Sequence, residues 1–240
     1  MLELKPERLT ATDFSRQPLS LCGKAFIADQ SGALYWPAER ALIVADLHLE
    51  KGSSYAVRGQ MLPPYDTRAT LMKLAATIDA YEPEVVISLG DSLHDPAGAD
   101  RISPEDRQIL ALCQEECQWL WITGNHDPEL PASLGGEVVP ELTISGITLR
   151  HQPRAGSFTH EIAGHLHPAA KVSFHGYRLR RPCFVGNGRR LVMPAFGTFT
   201  GGLNVLDDAF ADVFGDEGLA VWMLGEEGLY PIATRQLRGE

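Results

Sequence analysis

Carboxylate, amide and imidazole side chains recur along the chain in short motifs that suit metal ions. The candidate ligands and their immediate neighbours are Asp46, His48, Asp91, Asn125, His126, His151, His165 and His167. Such a mixed set of oxygen and imidazole ligands suits hard or borderline divalent ions such as Mn²⁺, Fe²⁺ or Zn²⁺. The pattern therefore predicts a metal centre that several distant parts of the chain build together.

The spacing of these residues indicates how two ions could be shared. Asp46 and His48 stand two residues apart, so on an extended segment both side chains point the same way and can hold one ion. His165 and His167 have the same spacing inside Gly-His-Leu-His-Pro, a tight segment that could divide them between ions. Two ions about 3.5–4 Å apart need a bridging carboxylate. Asp91, which follows a glycine, is the candidate bridge.

Buried strands precede the first of these motifs. Apolar runs at residues 41–45, 85–89 and 119–122 end just before Asp46, Gly90-Asp91 and Gly124-Asn125. Continuous apolar runs are typical of strands that are buried on both faces. Helices are predicted between them, one over 66–80 with Asp66 or Thr67 as N-cap and one that begins after Ser103. Strand alternating with helix predicts an α/β sheet, whose sites lie beyond the carboxyl ends of its strands.

The second half of the chain has a different pattern. Residues 138–205 contain short apolar runs separated by glycine-rich turns, and residues 220–230 resemble a closing hairpin. No repeat, linker or low-complexity tract divides the chain. We therefore expect one domain over residues 1–240, with two sheets packed face to face and helices on the outside.

Composition limits the class of protein. The net charge of −10 excludes nucleic-acid binding through the overall field, so any such contact needs a local basic patch or bound metal. Four scattered cysteines without a CxxC pair are typical of a reducing compartment. No apolar run is long enough for a membrane span. The expectation is a cytoplasmic protein without a membrane partner.

The ordered set of motifs resembles the calcineurin-like metallophosphoesterase superfamily. Asp-x-His, Gly-Asp, Gly-Asn-His-Asp, His and Gly-His-x-His follow one another over residues 46–167. The resemblance implies a four-layer metallophosphoesterase-type α/β sandwich, in which two mixed β-sheets pack face to face. It also implies two divalent ions, with Mn²⁺ expected first and Fe²⁺ or Zn²⁺ as alternatives.

The same resemblance assigns a role to each candidate. It places Asp46, His48, Asp91 and His167 on the first ion. It places Asp91, Asn125, His151 and His165 on the second ion. His126 would have no metal and would face the scissile phosphate as the proton donor to the leaving oxygen, so Asp91, Asn125 and His126 form the catalytic set.

Further motifs are similar to those of bacterial ligase-associated DNA-damage-response metallophosphoesterases. They include Asp-Leu-His-Leu-Glu-Lys-Gly from residue 46, Leu-Pro-Pro-Tyr-Asp-Thr from residue 62 and Pro-Cys-Phe-Val-Gly from residue 182. That family is described as endonucleases. The resemblance implies DNA as substrate, a role in DNA repair, and association with DNA-repair ligase, helicase or exonuclease proteins. Whether the protein is a homodimer stays open.

One departure separates the chain from the phosphoprotein phosphatases of the superfamily. These carry Asp three residues after the bridging Asp, followed by an Arg that binds phosphate, whereas this chain has His94 and Asp95 there. This argues against a protein phosphatase and leaves open what orients His126, for which Asp95 is a candidate. Asp127, before a proline, is predicted to be a helix N-cap.

Basic and polar side chains around the motifs are candidates for holding substrate. They are Lys51, Arg58, His94, Arg180 and Arg181. The arginines could hold a nucleic-acid backbone, or they could simply be a solvated strand pair that balances acidic neighbours. His94 could equally be a turn residue.

Three hypotheses of function follow. The first is a two-metal phosphodiesterase, a DNA endonuclease that acts on single-stranded or flexible DNA. The second is a phosphodiesterase or phosphatase for a small nucleotide-type substrate, with the same ligands but a different pocket. The third is a metal-binding scaffold without turnover. A nucleotide-binding P-loop, a Gly-x-Ser-x-Gly elbow and a Gly-x-Gly-x-x-Gly turn are all absent from the sequence.

Overall fold

The computed structural model describes residues 15–156, 160–174, 176–215 and 218–240. The strands are β1 Arg16–Leu21, β2 Lys24–Asp29, β3 Leu34–Trp36, β4 Ala41–Val44, β5 Val85–Leu89, β6 Gln118–Ile122, β7 Glu137–Val139, β8 Leu142–Ile144, β9 Ile147–Arg150, β10 Glu161–Ala163, β11 Pro168–Phe174, β12 Tyr177–Gly186, β13 Arg190–Val192, β14 Leu203–Asn204, β15 Ala220–Leu224 and β16 Leu229–Ile232. The α-helices are α1 Lys51–Val57, α2 Asp66–Tyr81, α3 Gly98–Arg101, α4 Pro104–Glu115 and α5 Asp208–Phe214. Within these ranges no helix combines the length and apolar character needed to cross a bilayer.

The first sheet contains β1 to β7 in chain order. Strands β4, β5, β6 and β7 run parallel, and the first three are joined by the helical segments α1 to α4. All four residues of β4 are buried, which explains its continuous apolar sequence. Helix α4 begins as predicted, because the Ser103 hydroxyl accepts the backbone N–H of Asp106 and Pro104 occupies the first turn.

The second sheet is mixed and has a more complex order. Its main path runs β14-β11-β12-β13-β10-β9-β8, and β15 pairs with both β12 and β16. Strand β10 is parallel to β9 and β13, whereas β11 with β12 and β15 with β16 are antiparallel. The hairpin predicted near the end of the chain is β15 and β16.

Three apolar cores divide the fold into four layers. One core lies between the sheets and contains Phe26, Ile87 and Phe184. A second fills the space between the first sheet and helices α2 and α4, and a third lies between the second sheet and α5. The predicted four-layer α/β sandwich of two mixed sheets with outer helices is therefore confirmed.

Local details differ from the sequence-based expectations. Helix α2 begins at Asp66 without a side-chain cap, so the predicted N-cap was wrong. The Asp66 carboxylate instead accepts the backbone N–H of Gly52, which ties α2 to α1. Helices α1 and α5 and strand β1 were not predicted, because short amphipathic segments have little periodicity. One domain over residues 1–240 stays a prediction, since residues 1–14 lie outside the described ranges.

Candidate metal centre

The loops after five strands, from both sheets, bring the predicted ligands to one rim. Three loops follow the parallel strands β4, β5 and β6, one follows β9, and the last joins β10 to β11. The residues they deliver are Asp46, His48, Asp91, Asn125, His126, His151, His165 and His167. The two face-to-face sheets therefore build the site between them, as sites at the carboxyl ends of strands in α/β folds do.

Several of these residues adopt the left-handed backbone conformation, which residues other than glycine rarely adopt. Their φ angles are 54° at Asp46, 45° at His48, 47° at Asp91, 70° at His165 and 45° at His167. Such conformations cost energy and persist where surrounding contacts impose them, which is common at functional sites. The ligand loops therefore hold these side chains in place at the expense of local stability.

Glycines allow the loops to approach one another closely. A Cβ on Gly164 would lie 2.6 Å from Asp46 Oδ2, and a Cβ on Gly124 would clash with the carboxylate and backbone of Asp91. The backbone N–H of His165 donates to the same Asp46 Oδ2 at 2.9 Å. Any side chain at these two glycines would therefore collide with a carboxylate of the centre.

The first ligand group is Asp46, His48 and His167. One ligand atom from each lies within 4.8 Å of the others. The Nε2 atoms of the two histidines are 3.3 Å apart, and His167 Nε2 is 3.3 Å from Asp46 Oδ1. Asp46 and His48 are buried.

The second ligand group is Asp91, His151 and His165, again with ligand atoms within 4.8 Å of one another. His151 Nε2 lies 3.3 Å from Asp91 Oδ1, 3.1 Å from His165 Nδ1 and 2.9 Å from Asn125 Oδ1. Asp91 Oδ2 is 3.8 Å from His48 Nε2, so this carboxylate reaches both groups. The position of Asp91 is that expected of a bridge.

The protonation states fit bound cations. His151 Nδ1 lies 2.9 Å from the Leu89 carbonyl and His167 Nδ1 lies 3.2 Å from the Gly201 carbonyl, so each Nδ1–H donates to backbone and Nε2 faces the ligand group. An unprotonated Nε2 of His151 would face the Asn125 and Asp91 oxygens, and a cation between these atoms would relieve the repulsion. Burial and the nearby His167 lower the pKa of His48 to about 2, so this ring is neutral.

Asp91 is ionised in the same surroundings. Burial alone would raise its pKa, but the contacts with His151, the His126 backbone N–H and His48 lower it to about 2. Metal ligands must be deprotonated carboxylates and neutral imidazoles. The side chains present therefore fit divalent metal ions, and which ion each residue binds stays a prediction.

His126 stands beside these two groups and forms a third set of closely spaced ligand atoms with His48 and His94. Its Nε2 is 3.9 Å from Asp91 Oδ2, and its Nδ1 donates to the His94 carbonyl at 2.8 Å. Its ring is partly exposed, so it is open to a substrate. Asp95 does not orient it, because the Asp95 carboxylate instead pairs with Arg101 at 2.7 Å.

Asp127 has a role that the sequence analysis missed. No helix follows it, so the predicted N-cap was wrong. Its buried carboxylate accepts the backbone N–H groups of four residues, namely Asp91, Ser92, Leu93 and Gly124. It thereby fixes the Asp91 loop to the Asn125 loop, while burial raises its own pKa to about 6. Its place at the end of Gly-Asn-His-Asp was the available signal.

The predicted substrate-binding residues lie on two sides of the centre. The His94 ring is 5.5 Å from the His48 ring and 5.3 Å from the His126 ring, centroid to centroid. Lys51 at the start of α1 and Arg58 at its end both lower the pKa of His94, after the larger effect of burial. Arg180 and Arg181 line a cleft of about 200 Å³ that also includes His167.

The chain is similar to a known protein family and to solved structures. Residues 39–189 match the family described as calcineurin-like phosphoesterase. The structure of a nuclease, MPE from Pseudomonas putida, is similar with a TM-score of 0.70 and 32% identity, covering 90% of this chain and 100% of that chain. A search of curated proteins returns no match.

Two further solved structures are similar at lower levels. The phosphoesterase Yfce from E. coli has a TM-score of 0.38 and 12% identity, covering 83% of this chain and 96% of that one. The protein AQ665 of unknown function from Aquifex aeolicus has a TM-score of 0.38 and 16% identity, covering 53% and 78% of the two chains. Neither informs the details of the site.

Proposed function

This chain belongs to the calcineurin-like phosphoesterase family, and on that premise we propose that it is a two-metal phosphodiesterase that cuts single-stranded or flexible DNA at internal positions. Membership of the family makes it a metal-dependent hydrolase of phosphoester bonds. The observation that supports the finer proposal is the pair of ligand groups joined by Asp91, with His126 beside them.

In this proposal the chain holds two ions with nearly separate sets of side chains. Asp46, His48 and His167 would hold the first, Asn125, His151 and His165 would hold the second, and Asp91 lies within reach of both. We propose Mn²⁺ because the ligands mix oxygen with imidazole nitrogen, while Fe²⁺ and Zn²⁺ satisfy the same chemistry. When bound, the ions would supply Lewis-acid activation of water and would neutralise charge on the phosphate oxygens.

In this proposal His126 is the proton donor of the reaction. Because its Nδ1–H donates to the His94 carbonyl, the ring is fixed and Nε2 is directed towards Asp91 Oδ2. When both ring nitrogens are protonated, Nε2 can donate its proton to the leaving oxygen of the cut strand. His94, stacked on His126, limits the space beside the leaving group.

DNA as substrate rests on two supports. A similar protein, which this chain covers over its whole length, is called a nuclease. In this chain Arg180 and Arg181 line a cleft next to His167, where an extended strand could place a phosphate. A small nucleotide-type substrate is the alternative, since it would use the same ligands.

The decisive assay compares three substrates with metal-loaded protein. We expect hydrolysis of bis-p-nitrophenyl phosphate and linearisation of circular single-stranded DNA with Mn²⁺, and little hydrolysis of p-nitrophenyl phosphate. Asn125→Ala and His126→Ala each remove one group of the proposed catalytic set. In each variant the rate of hydrolysis should fall by about 100-fold or more. Intact circular DNA beside rapid monoester hydrolysis would refute the endonuclease proposal, and unchanged activity in both variants would favour a scaffold without turnover.

The two histidines of Gly-His-Leu-His-Pro test the assignment to ions. His165→Ala should weaken the second ion and His167→Ala the first, because the two side chains join different groups. Titration calorimetry with Mn²⁺ should show one weakened site in each variant. Full activity of His165→Ala with two bound ions would contradict the assignment.

The cellular setting is part of the same proposal. We propose a role in DNA repair in the cytoplasm, together with a DNA-repair ligase, helicase or exonuclease, on the motif resemblance described above. Co-purification of tagged protein with such enzymes, with and without DNA damage, tests it. Sedimentation at several concentrations would show whether the protein is a homodimer.

A further inference from the structure

A second cleft adjoins the other ligand group. It has a volume of about 390 Å³ and includes Asn125 and His151, together with Arg150 and Arg154. The first cleft adjoins His167 and likewise contains two arginines, Arg180 and Arg181. Each ligand group therefore has its own neighbouring cleft with a pair of guanidinium groups.

The arginines of the second cleft have acidic neighbours, and one of the two is half exposed. Arg150 pairs with Glu141 and lies 3.8 Å from Glu161, and Arg154 reaches Glu141 at 3.8 Å. About half of the Arg154 side chain is exposed, at 51%. The Nε–H of Arg150 is buried and has no hydrogen-bond partner among the described residues. Two carboxylates, Glu141 and Glu161, therefore lie beside these arginines, and the half-exposed Arg154 lines the cleft.

A buried ion pair fixes the loop that carries Arg154. Arg190 and Glu161 are both buried and pair with each other. Glu161 accepts the backbone N–H of Arg154 at 3.2 Å, and Arg190 donates to the carbonyls of Arg154 and Gly156. Burying such a pair is costly, and one reason to retain it is conformational specificity. Here the pair holds both backbone polar groups of Arg154.

We propose that Arg154, with Arg150, binds a phosphate of the substrate strand that neighbours the scissile phosphate on the side of Asn125 and His151. The strand then continues past His167 to Arg180 and Arg181. This inference rests on the proposed function and deepens it. A mononucleotide lacks phosphates for both clefts, so the arrangement selects a polynucleotide single strand with several phosphodiester groups.

The test replaces Arg154 and compares it with a matched arginine. Arg40 is also exposed and paired with a glutamate, Glu84, but it precedes β4 at the end of the first sheet opposite the ligands and lines neither cleft. Arg154→Ala, Arg154→Lys and Arg40→Ala are examined with a fluorescent single-stranded 12-nucleotide DNA. Binding is measured by anisotropy in EDTA, and cleavage is measured with Mn²⁺ beside hydrolysis of bis-p-nitrophenyl phosphate.

We expect Arg154→Ala to weaken DNA binding about tenfold, the size of one charged hydrogen bond, with Arg154→Lys recovering part of it. The loss in kcat/KM on DNA should arise through KM and exceed any loss on bis-p-nitrophenyl phosphate by a similar factor. The slope of binding against salt should fall by about one. Arg40→Ala should match the unmodified protein in all assays.

Equal binding and cleavage by Arg154→Ala and Arg40→Ala, with DNA cut normally, would overturn this inference and leave the proposed function intact. Equal losses on DNA and bis-p-nitrophenyl phosphate would overturn it too, because they would mean damage to the centre itself. An unmodified protein that hydrolyses bis-p-nitrophenyl phosphate but neither binds nor cuts DNA would overturn both proposals.

Discussion

The two sheets hold their parts of the metal centre in different ways. On the first sheet, the Asp127 carboxylate fixes the Asp91 and Asn125 loops through neutral backbone N–H groups. On the second sheet, Glu161 fixes the loop after His151 together with a cation, Arg190. Both arrangements use a buried carboxylate, but only the one in the second sheet includes a side chain of opposite charge.

This difference teaches how loop geometry can be maintained beside a charged site. The first sheet delivers its ligands from strands that are buried along nearly their whole length, so a single carboxylate that accepts N–H groups is sufficient. The second sheet delivers His151 from a strand in which only every second residue is buried, and it must also hold the loop that follows. An ion pair with several donors reaches further across that loop, and it costs more to assemble.

Asp91 joins the two regions, so its loss should have the largest effect. Asp91→Ala removes the carboxylate that reaches both ligand groups, and we expect the rate to fall by about 1,000-fold or more, since two-metal stabilisation contributes several kcal/mol. Steady-state hydrolysis of bis-p-nitrophenyl phosphate and metal content by mass spectrometry measure this. Retention of both ions at normal affinity would show that Asp91 is no bridge.

Glu161→Gln removes the negative charge from the buried ion pair of the second sheet. It leaves Arg190 buried without its counter-ion, so the free energy of unfolding should fall by about 3–5 kcal/mol, as measured by urea denaturation in EDTA. Replacing both residues by methionine should restore most of the stability but not the tenfold DNA affinity assigned to Arg154. If the double variant bound DNA normally, the pair would have no role in placing the loop.

Asp127→Asn tests the carboxylate that fixes the ligand loops of the first sheet. An amide presents one oxygen instead of two and adds donors that face backbone N–H groups, so we expect a loss of about 2 kcal/mol. No buried charge is left unpaired, so the loss should be smaller than in Glu161→Gln under the same conditions. Equal or reversed losses would contradict the proposed difference between the sheets.

Lys73 connects the two regions and should show the smallest effect. It extends from α2 of the first-sheet half to the carbonyl of Phe196, which follows β13 of the second sheet, and burial lowers its pKa to about 8. The unfolded chain, with an ordinary lysine pKa of about 10.4, then binds more protons between those values, so stability from this group rises with pH. The rise should be about 1 kcal/mol between pH 8 and 9.

Lys73→Met provides the comparison, because every other titrating group is shared between the two proteins. Urea denaturation in EDTA at pH 7, 8 and 9 should give a flatter dependence on pH for the variant. Parallel curves would mean that Lys73 titrates normally in the folded protein.

Much of the centre could be predicted from local sequence. The parallel strands β4, β5 and β6 are continuous apolar runs, and each is followed at once by Asp46, Asp91 or Asn125. A strand that ends in a polar ligand is a local pattern, and the order of the motifs distinguishes this family. The assignment of His165 and His167 to different ions follows from their resemblance to known motifs and stays a prediction. In the structure their ligand atoms lie in different groups.

Other parts of the centre depend on contacts between distant segments. The carboxylate of Asp127 meets the loop of Asp91 across 36 residues, and the His94 carbonyl, not Asp95, meets His126. The pairing of Glu161 with Arg190, and hence the position of Arg154, requires that β10 lie beside β13. Local periodicity has no information about these partners, because backbone N–H and carbonyl groups are present at nearly every residue.

The sequence alone therefore determined which side chains could bind ions and where strands must end to present them, since residue chemistry and strand periodicity are local properties. The tertiary structure decided how those side chains are shared between two groups and what orients His126. It also decided which arginines, Arg150 and Arg154, lie beside the ligands. These depend on how two sheets pack face to face, which is a long-range outcome of burying a common apolar core.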